Sequence, residues 1–479
     1  MVRIRSSVRS RSGAPETSMD FTLIIHHLRK RLSDSQVVIS DLEREAYSHD
    51  RSPYFGPVSL DFIILFPHSE SDVEFILKTS DFFNIPIVVR GAGTGTTGGA
   101  LPVTACLMMS FEKMDRILEI DVENRVAVIE PGVITGNLQR EVSEIGLFYP
   151  PDPASLETCT IGGNVAENAG GPRCLKYGVT RDYILGLSGF YVDGTPFHFG
   201  GKLRKDVAGY DMIGLLVGSE GTLAVITQII VKLIALPLEG PLIHCAFTSY
   251  DEAFFALNSI LTSGVSPSAV EFMDTACLKA IKTCHGIDIQ DSDHPAHLLI
   301  ELDSHDAEQF KKDTEIILDI LNRSQSSVQV MSSASEKEIL WKTRRLISRS
   351  LKQLFPQKIS HDIVVPVSRV STYMAFISQL SIESGIQIIG YGHLGDGNIH
   401  VNILIPPDCE DAHIGEILTL QILEQAILLK GSITGEHGIG VTKKPFLNLM
   451  FSEYDITIFR GIKRTFDPKN LLNPHKIID

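Results

Sequence analysis

Three separated stretches of this chain are too rich in glycine and small hydroxyl residues to sit inside a helix or a plain strand. The first, VVRGAGTGTTGGALP, follows the β-branched run IPIVV. The second is YPPDPASLETCTIGGNVAENAGGPRCLKYGVTRDYILGL (149–187). The third, GYDMIGLLVGSEGTLAVITQIIVKL (209–233), places Gly218, Ser219, Gly221 and Thr222 before a long strand. Gly93, Gly95 and Gly98 match G-x-G-x-x-G, but a Rossmann fingerprint must open a helix. Here a proline and a strand-like run, GALPVTACLMMSF, follow instead, so the match reads as a decoy. Small residues let backbone N–H groups converge without Cβ clashes and form an anion cradle, beside which Arg90 adds a cation. A pyrophosphate suits such a loop. Three such loops imply a large, flat ligand approached closely by backbone.

The 479 residues exceed one ordinary core, so two or three domains are expected. A net charge of −15 argues against nucleic-acid binding, which needs a basic face. None of the seven cysteines forms a Cys-x-x-Cys pair. They supply no zinc-ribbon or ferredoxin spacing and read as free thiols in a reducing compartment. The longest apolar runs, such as LDFIILF and TLAVITQIIVKLIAL, fall short of a bilayer span. The acid-free start MVRIRSSVRSRSGAP reads as a tail, with translation from Met1 or Met19, and the expected location is cytoplasmic. Read as a transit peptide, the same segment implies a mitochondrial one.

LDFIILFP and IPIVVR read as strands, and SESDVEFILKTSDFFN as a helix opened by serine and early acids. IALPLEGP (234–241) reads as a linker. SASEKEILWKTRRLISRSLKQLF is the clearest helix, with Ser335 and Glu338 as a capping box. Ile339, Leu340, Ile347, Leu351 and Leu354 are spaced as its buried stripe. TFDPKNLLNPHKIID reads as a helix stop and a proline-pinned tail.

Chemistry concentrates in GYGHLGDGNIH (390–400) and GSITGEHGIG (431–440). NIHVNILI reads as a strand, so His400 and Asn402 share one face while Ile399, Val401 and Ile403 face apolar packing. The turn GHLGDG folds His393 back toward His400. Converging histidines suit a divalent transition metal, and Glu436 with His437, set between glycines, offers further ligands. A lone histidine is more often packed than functional, but four such groups framed by glycines favour a site. On the long helix, Trp341, Arg344 and Ser348 lie on one face, and Arg344 can hold a carboxylate through two parallel hydrogen bonds. Arg345 reads as its solvated neighbour.

The three glycine-rich stretches resemble the FAD-binding domain of the vanillyl-alcohol oxidase/p-cresol methylhydroxylase (PCMH) type. From about Tyr47 to the C-terminus the chain is similar to glycolate oxidase flavin subunits and to D-lactate and D-2-hydroxyglutarate dehydrogenases, down to the segment AVEFMD (269–274). The resemblance implies an α+β fold: a two-lobed PCMH-type FAD-binding domain, an α+β cap with an antiparallel sheet, and a C-terminal helical segment. The expected boundaries are 1–56 for the tail and first helices, 57–237 for the FAD domain, 238–420 for the cap and 421–479 for a segment returning to the flavin.

Carried over by position, the FAD contacts are Arg90, Gly91, Gly93, Thr94, Gly95, Thr96, Gly99, Pro151, Thr160, Gly162, Gly163, Asn168, Gly221 and Asn473. Thr94 stands where covalent relatives carry histidine, so non-covalent FAD is implied. The family pattern makes His393, His400 and Glu436 the ligands of a divalent metal, zinc or manganese, and His437 the catalytic base. Arg344, Ser348 and Asn402 become substrate contacts. The implied reaction is FAD-dependent oxidation of a small 2-hydroxy acid, with electrons passing to flavin and iron–sulfur partner subunits or to another acceptor. Ser360 replaces the lysine that relatives use for a second carboxylate, which favours glycolate or D-lactate over D-2-hydroxyglutarate. A non-redox ether-lipid synthase on the same fold is the other alternative. His475 stands where relatives have glycine.

Overall fold

The computed structural model describes residues 20–478 except Phe55, Gln325, Glu410 and Ala412, so the arginine-rich start lies outside the described residues. Phe62–Leu65, Cys106–Ser110 and Ile87–Arg90 form a parallel ribbon, with Val37–Val38 antiparallel at its edge. Both faces are covered, which is why these strands read as continuous apolar runs. The Glu70–Phe83 helix crosses between two of them. It is capped by Ser69, whose Oγ accepts from Asp72 N at 3.3 Å, and is ended by left-handed Asn84. The chain leaves Arg90 into the glycine loop and not into a helix, so the Rossmann match is indeed a decoy.

A second lobe is a five-stranded antiparallel sheet in the order Ile117–Asp121, Val126–Ile129, Val225–Lys232, Ile184–Phe190, Pro196–Gly200. The cap is a seven-stranded antiparallel sheet in the order Ser326–Met331, Leu238–Phe247, Ala296–Ser304, Ala269–Asp274, Gln387–His393, Asn398–Leu404, Ile359–Val364. Strand periodicity sorts its side chains. Ile399, Val401 and Ile403 join a core with the Tyr250–Thr262, Ala307–Asn322, Val370–Ser384 and Ile414–Leu428 helices. Ile389, Tyr391 and Leu404 face the Thr275–His285 and Ala334–Leu354 helices. His393, His400 and Asn402 fall on this second face, under the long helix that carries Arg344.

Three expectations need correction. The long helix begins at Ala334 and its capping box is Ser333 with Glu336. The segment holds two overlapping S-x-x-E pairs, and the earlier one caps; Glu338 instead pairs with Arg345. Ile339 and Leu354 are 52% and 38% exposed, because only the stripe of Leu340, Ile347 and Leu351 meets the sheet. IALPLEGP is not a free linker. Ile234–Ala235 pairs with Leu147–Phe148, and Leu238 already begins the cap sheet. Its prolines sit at the break and at the bulge, where no ladder N–H is needed.

The C-terminal tail returns to the first lobe. Asn473 N donates to Ile87 O at 2.7 Å, and the Lys463 ammonium donates to Thr222 O and Leu472 O at 2.8 Å. His475 adopts φ +66°, the left-handed conformation that glycine reaches most easily.

Candidate active site

One cavity of 1470 Å³ runs from the glycine loop to the histidines, between the two lobes and the cap. Its floor is backbone. Thr160 caps the Ile161–Glu167 helix by accepting from Gly163 N at 3.1 Å. A Cβ on Gly91 would strike the Thr160 hydroxyl, and one on Gly162 would lie 2.6 Å from the Pro131 ring, so glycine is required where the two loops meet. Arg90 Nη1, Thr96 Oγ1 and Glu167 Oε2 are buried on this wall without a protein partner. A cationic donor, a hydroxyl and close backbone suit a pyrophosphate and ribityl chain, so the cradle fits a dinucleotide flavin.

At the other end the sheet register sets histidines opposite acids. His393 pairs across from Glu271, and His400 across from Asp362. Glu271, fully buried, takes His393 Nδ1 on Oε1 at 2.5 Å. In the neutral ring that places the proton on Nδ1 and leaves the Nε2 lone pair free to ligate. His393 Nε2 and His400 Nε2 both lie 3.7 Å from Glu436 Oε1, and His437 Nε2 lies 3.4 Å from it. Ligands of one tetrahedral ion stand about 3.3 Å apart, so each of these imidazoles lies near the spacing from Glu436 that a shared ion would need.

Among the described residues, the group whose donor atoms all lie within 4.8 Å of one another is Asp362, His400, Glu436 and His437; it contains two of the three expected ligands and not His393. Asp362 is nevertheless an unsuitable ligand. Its Oδ2 already accepts the N–H groups of Gly435, Glu436 and His437 at 2.8, 2.8 and 3.1 Å, and Oδ1 accepts from Asn398 at 2.6 Å. Burial pushes this carboxyl up, but His437, Lys443 and His400 together hold it well below its usual range. It faces Nδ1 of His400 at 3.7 Å and of His437 at 3.8 Å. Burial alone would lower the His437 imidazole; the charges of Asp362 and Glu436 reverse this and raise it. The loop is braced from the flavin side as well, since Glu220 accepts Ile439 N and Gly440 N, both at 2.7 Å, and Thr97 Oγ1 donates to His437 O.

Arg344 reaches the same space from the long helix. Its Nε lies 2.5 Å from Glu271 Oε2, off the N–H direction, so the contact is an ion pair without a formed hydrogen bond. The guanidinium lies over Tyr391, 4.9 Å from the ring centroid, and Nη2 is buried without a partner. An unspent cationic donor on the cavity wall suits a carboxylate.

Of the expected residues, Arg90, Gly91, Gly93, Thr94, Gly95, Thr96, Gly99, Thr160, Gly162, Gly163, Gly221, Arg344, Ser348, His393, His400, Glu436 and His437 line this cavity. Pro151, Asn168, Asn402 and Asn473 do not. Asn473 Nδ2 instead ties Gly99 O to Glu220 O, and Asn168 ends the helix while accepting Arg181 N. Asn402 is fully buried, bonded to Ser360 Oγ and His400 O. These three hold the wall from behind. Glu271 and Asp362 were missed as site residues. Each is an acid within an otherwise apolar strand, AVEFMD and ISHDIV, and that anomaly was the available signal.

A family model described as FAD binding domain matches residues 63–200, and one described as FAD linked oxidases, C-terminal domain, matches 236–477. The chain is 38% identical over 446 residues to a glycolate oxidase subunit of Bacillus subtilis, covering 91% of this chain and 93% of the relative. It is 35% identical over 439 residues to a D-lactate dehydrogenase of Archaeoglobus fulgidus, covering 91% and 96%. A p-cresol methylhydroxylase crystal structure superposes with TM-score 0.79 at 15% identity, over 96% of this chain and 97% of that one. This likeness speaks for the fold alone.

Proposed function

The chain belongs to the FAD-linked oxidases, and within that family we propose that it oxidises a small 2-hydroxy acid, glycolate or D-lactate, to the 2-oxo acid. The observation that carries this is the convergence of Arg344 Nη2, His437 and the His393–His400–Glu436 group on the cavity that holds the glycine cradle. FAD, when bound, supplies the acceptor for the Cα hydride. A divalent ion held by His393, His400 and Glu436 would supply Lewis-acid polarisation of a substrate oxygen.

The chain's own residues do the rest. Arg344 holds the substrate carboxylate and so orients the Cα–H bond. His437 lines the cavity, with Nε2 3.4 Å from Glu436 Oε1 and Nδ1 facing Asp362. It takes the hydroxyl proton at Nε2, and the Asp362 carboxylate stabilises the resulting imidazolium. Electrons then leave to a flavin and iron–sulfur partner or to another acceptor.

The 358–361 segment offers no cation to a second carboxylate, which favours a one-carboxylate substrate. Ser360 spends its hydroxyl on Asn402, and His361 faces away to Thr419 at 2.9 Å. Lys358 is turned behind Ser348, donating to its Oγ at 3.1 Å, off the cavity wall.

The test is an anaerobic spectrum of the purified holoenzyme with glycolate, D-lactate, L-lactate and D-2-hydroxyglutarate in turn, with and without a chelator. Bleaching of the flavin band by glycolate or D-lactate, lost with chelator, is expected. Equal or faster bleaching by D-2-hydroxyglutarate would overturn the substrate class, and bleaching by none of the acids would overturn the reaction.

A further inference from the structure

One face of the Ala334–Leu354 helix lines the cavity along its whole length, through Lys337, Trp341, Arg344, Ser348, Arg349 and Lys352 among others. This face carries Lys337, Arg344, Arg345, Arg349 and Lys352 against one acid, Glu338, in a chain whose 58 Asp and Glu outnumber 43 Lys and Arg. An anion approaching the molecule at large is repelled, whereas along this helix it is attracted. Exposure is graded in the same direction. Arg344 retains 9% of its side-chain exposure and Arg345 47%, and Arg349 and Lys352 are exposed. From Lys352 to Arg344 is about 12 Å along the axis, about one and a half Debye lengths at physiological salt, with Arg345 and Arg349 between them. Arg349 makes no hydrogen bond or ion pair with any described residue, and Lys352 meets only the carbonyl of Pro356, at 2.7 Å. Neither charge is spent on holding the fold.

We propose that Arg349 and Lys352 form an electrostatic guide that captures the substrate carboxylate at the cavity mouth and delivers it along the helix to Arg344. The proposal rests on the 2-hydroxy-acid reading for the identity of the anion. The rest of the cavity lining is mixed in sign, with Arg173 paired to Asp152 and Glu301, so the positive excess lies on this helix face; a local excess of one sign on a cleft wall raises the local concentration and encounter rate of the opposite sign, steeply with falling salt.

The experiment compares the native holoenzyme with the double variant Arg349→Gln, Lys352→Gln, and with the reversal Arg349→Glu, Lys352→Glu. Stopped-flow flavin reduction at low acid concentration gives the second-order rate at salt from roughly 10 mM to 0.3 M. For the native protein that rate is expected to fall about tenfold across the range. The neutral variant should lose most of this slope and meet the native rate at high salt, and the reversal should give a rate that rises with salt. The limiting reduction rate and the flavin spectrum should match the native protein's. Salt slopes parallel to the native one would overturn the guide. Oxalate binding, read as a shift of the flavin band, repeats the comparison without turnover. If no acid reduces the flavin, the reaction falls, while the oxalate slopes still decide the guide.

Discussion

Glu271 stands directly across the sheet from His393, with Oε1 2.5 Å from its Nδ1, and offers its other oxygen to Arg344. One buried carboxylate thus contacts both the imidazole proposed to bind the metal and the guanidinium proposed to bind the substrate carboxylate. An acid that holds the far nitrogen of a metal-binding histidine typically accounts for 10- to 100-fold in metal affinity. Glu271→Gln should therefore weaken metal binding by about that factor and raise the KM for the acid, with FAD retained. Chelator competition followed by metal analysis measures the first, and an unchanged affinity would remove Glu271 from this role.

His437 is the proton acceptor in the proposed reaction. His437→Ala should keep FAD and lower the limiting rate of flavin reduction by about 10²- to 10⁴-fold. Asp362→Asn tests a different thing. Its carboxylate collects three successive N–H groups of the 435–437 turn, so the amide should loosen the turn and slow reduction too. Native reduction rates in the alanine variant would refute the base assignment.

Arg344→Lys keeps the charge but loses the planar fork. The expected result is a KM for glycolate or D-lactate raised at least tenfold, roughly the loss of one charge-assisted hydrogen bond, with a smaller change in kcat. If titration of the flavin band with oxalate gives the same Kd for both proteins, Arg344 does not hold the carboxylate.

Thr94 lies on the cavity wall in the first glycine loop, and threonine has no side chain that attaches to the flavin ring as histidine does. Acid precipitation of the yellow protein should therefore release all flavin into the supernatant. Flavin retained in the washed pellet would show a covalent link.

How far the sequence discloses this site depends on how local each signal is. The glycine loops, the Ser69 cap and the alternation that puts Ile399, Val401 and Ile403 on one side and His400 on the other are written within a few residues. The partnership of Glu271 with His393 spans 122 positions. It is created by sheet register, which no single segment specifies. The capping box was misplaced because SSASEKE holds two competing serine–glutamate pairs. Asn402 lies on the correct face, yet its amide is consumed by Ser360 and the His400 carbonyl, a local bond that periodicity does not resolve.

The cap sheet contains a second histidine pair, unconnected with the active site, that sets an acid limit. His297 Nε2 lies 3.0 Å from His294 O and Nδ1 lies 3.1 Å from His244 Nε2, with the two rings stacked at 5.4 Å. At His297 both contacts are met by a neutral ring: Nε2–H donates to the carbonyl and Nδ1 accepts from His244. A proton added at His297 Nδ1 would confront the N–H of His244. Burial, followed by the His244 charge, accordingly pushes His297 down to about 4. Between the unfolded value near 6.5 and about 4 the unfolded chain binds a proton that the folded one refuses, so this residue's contribution is complete above pH 6.5 and is lost as pH falls through that window. The full effect is about 3 kcal/mol. Buried carboxylates titrate in the same range with the opposite sign, so the comparison that isolates the residue is His297→Asn against the native protein. The variant should melt lower at pH 7.5 and lose less between pH 7 and pH 5, the two midpoints converging as acid is added. Melting curves that stay parallel over that range would show that His297 does not set the acid limit.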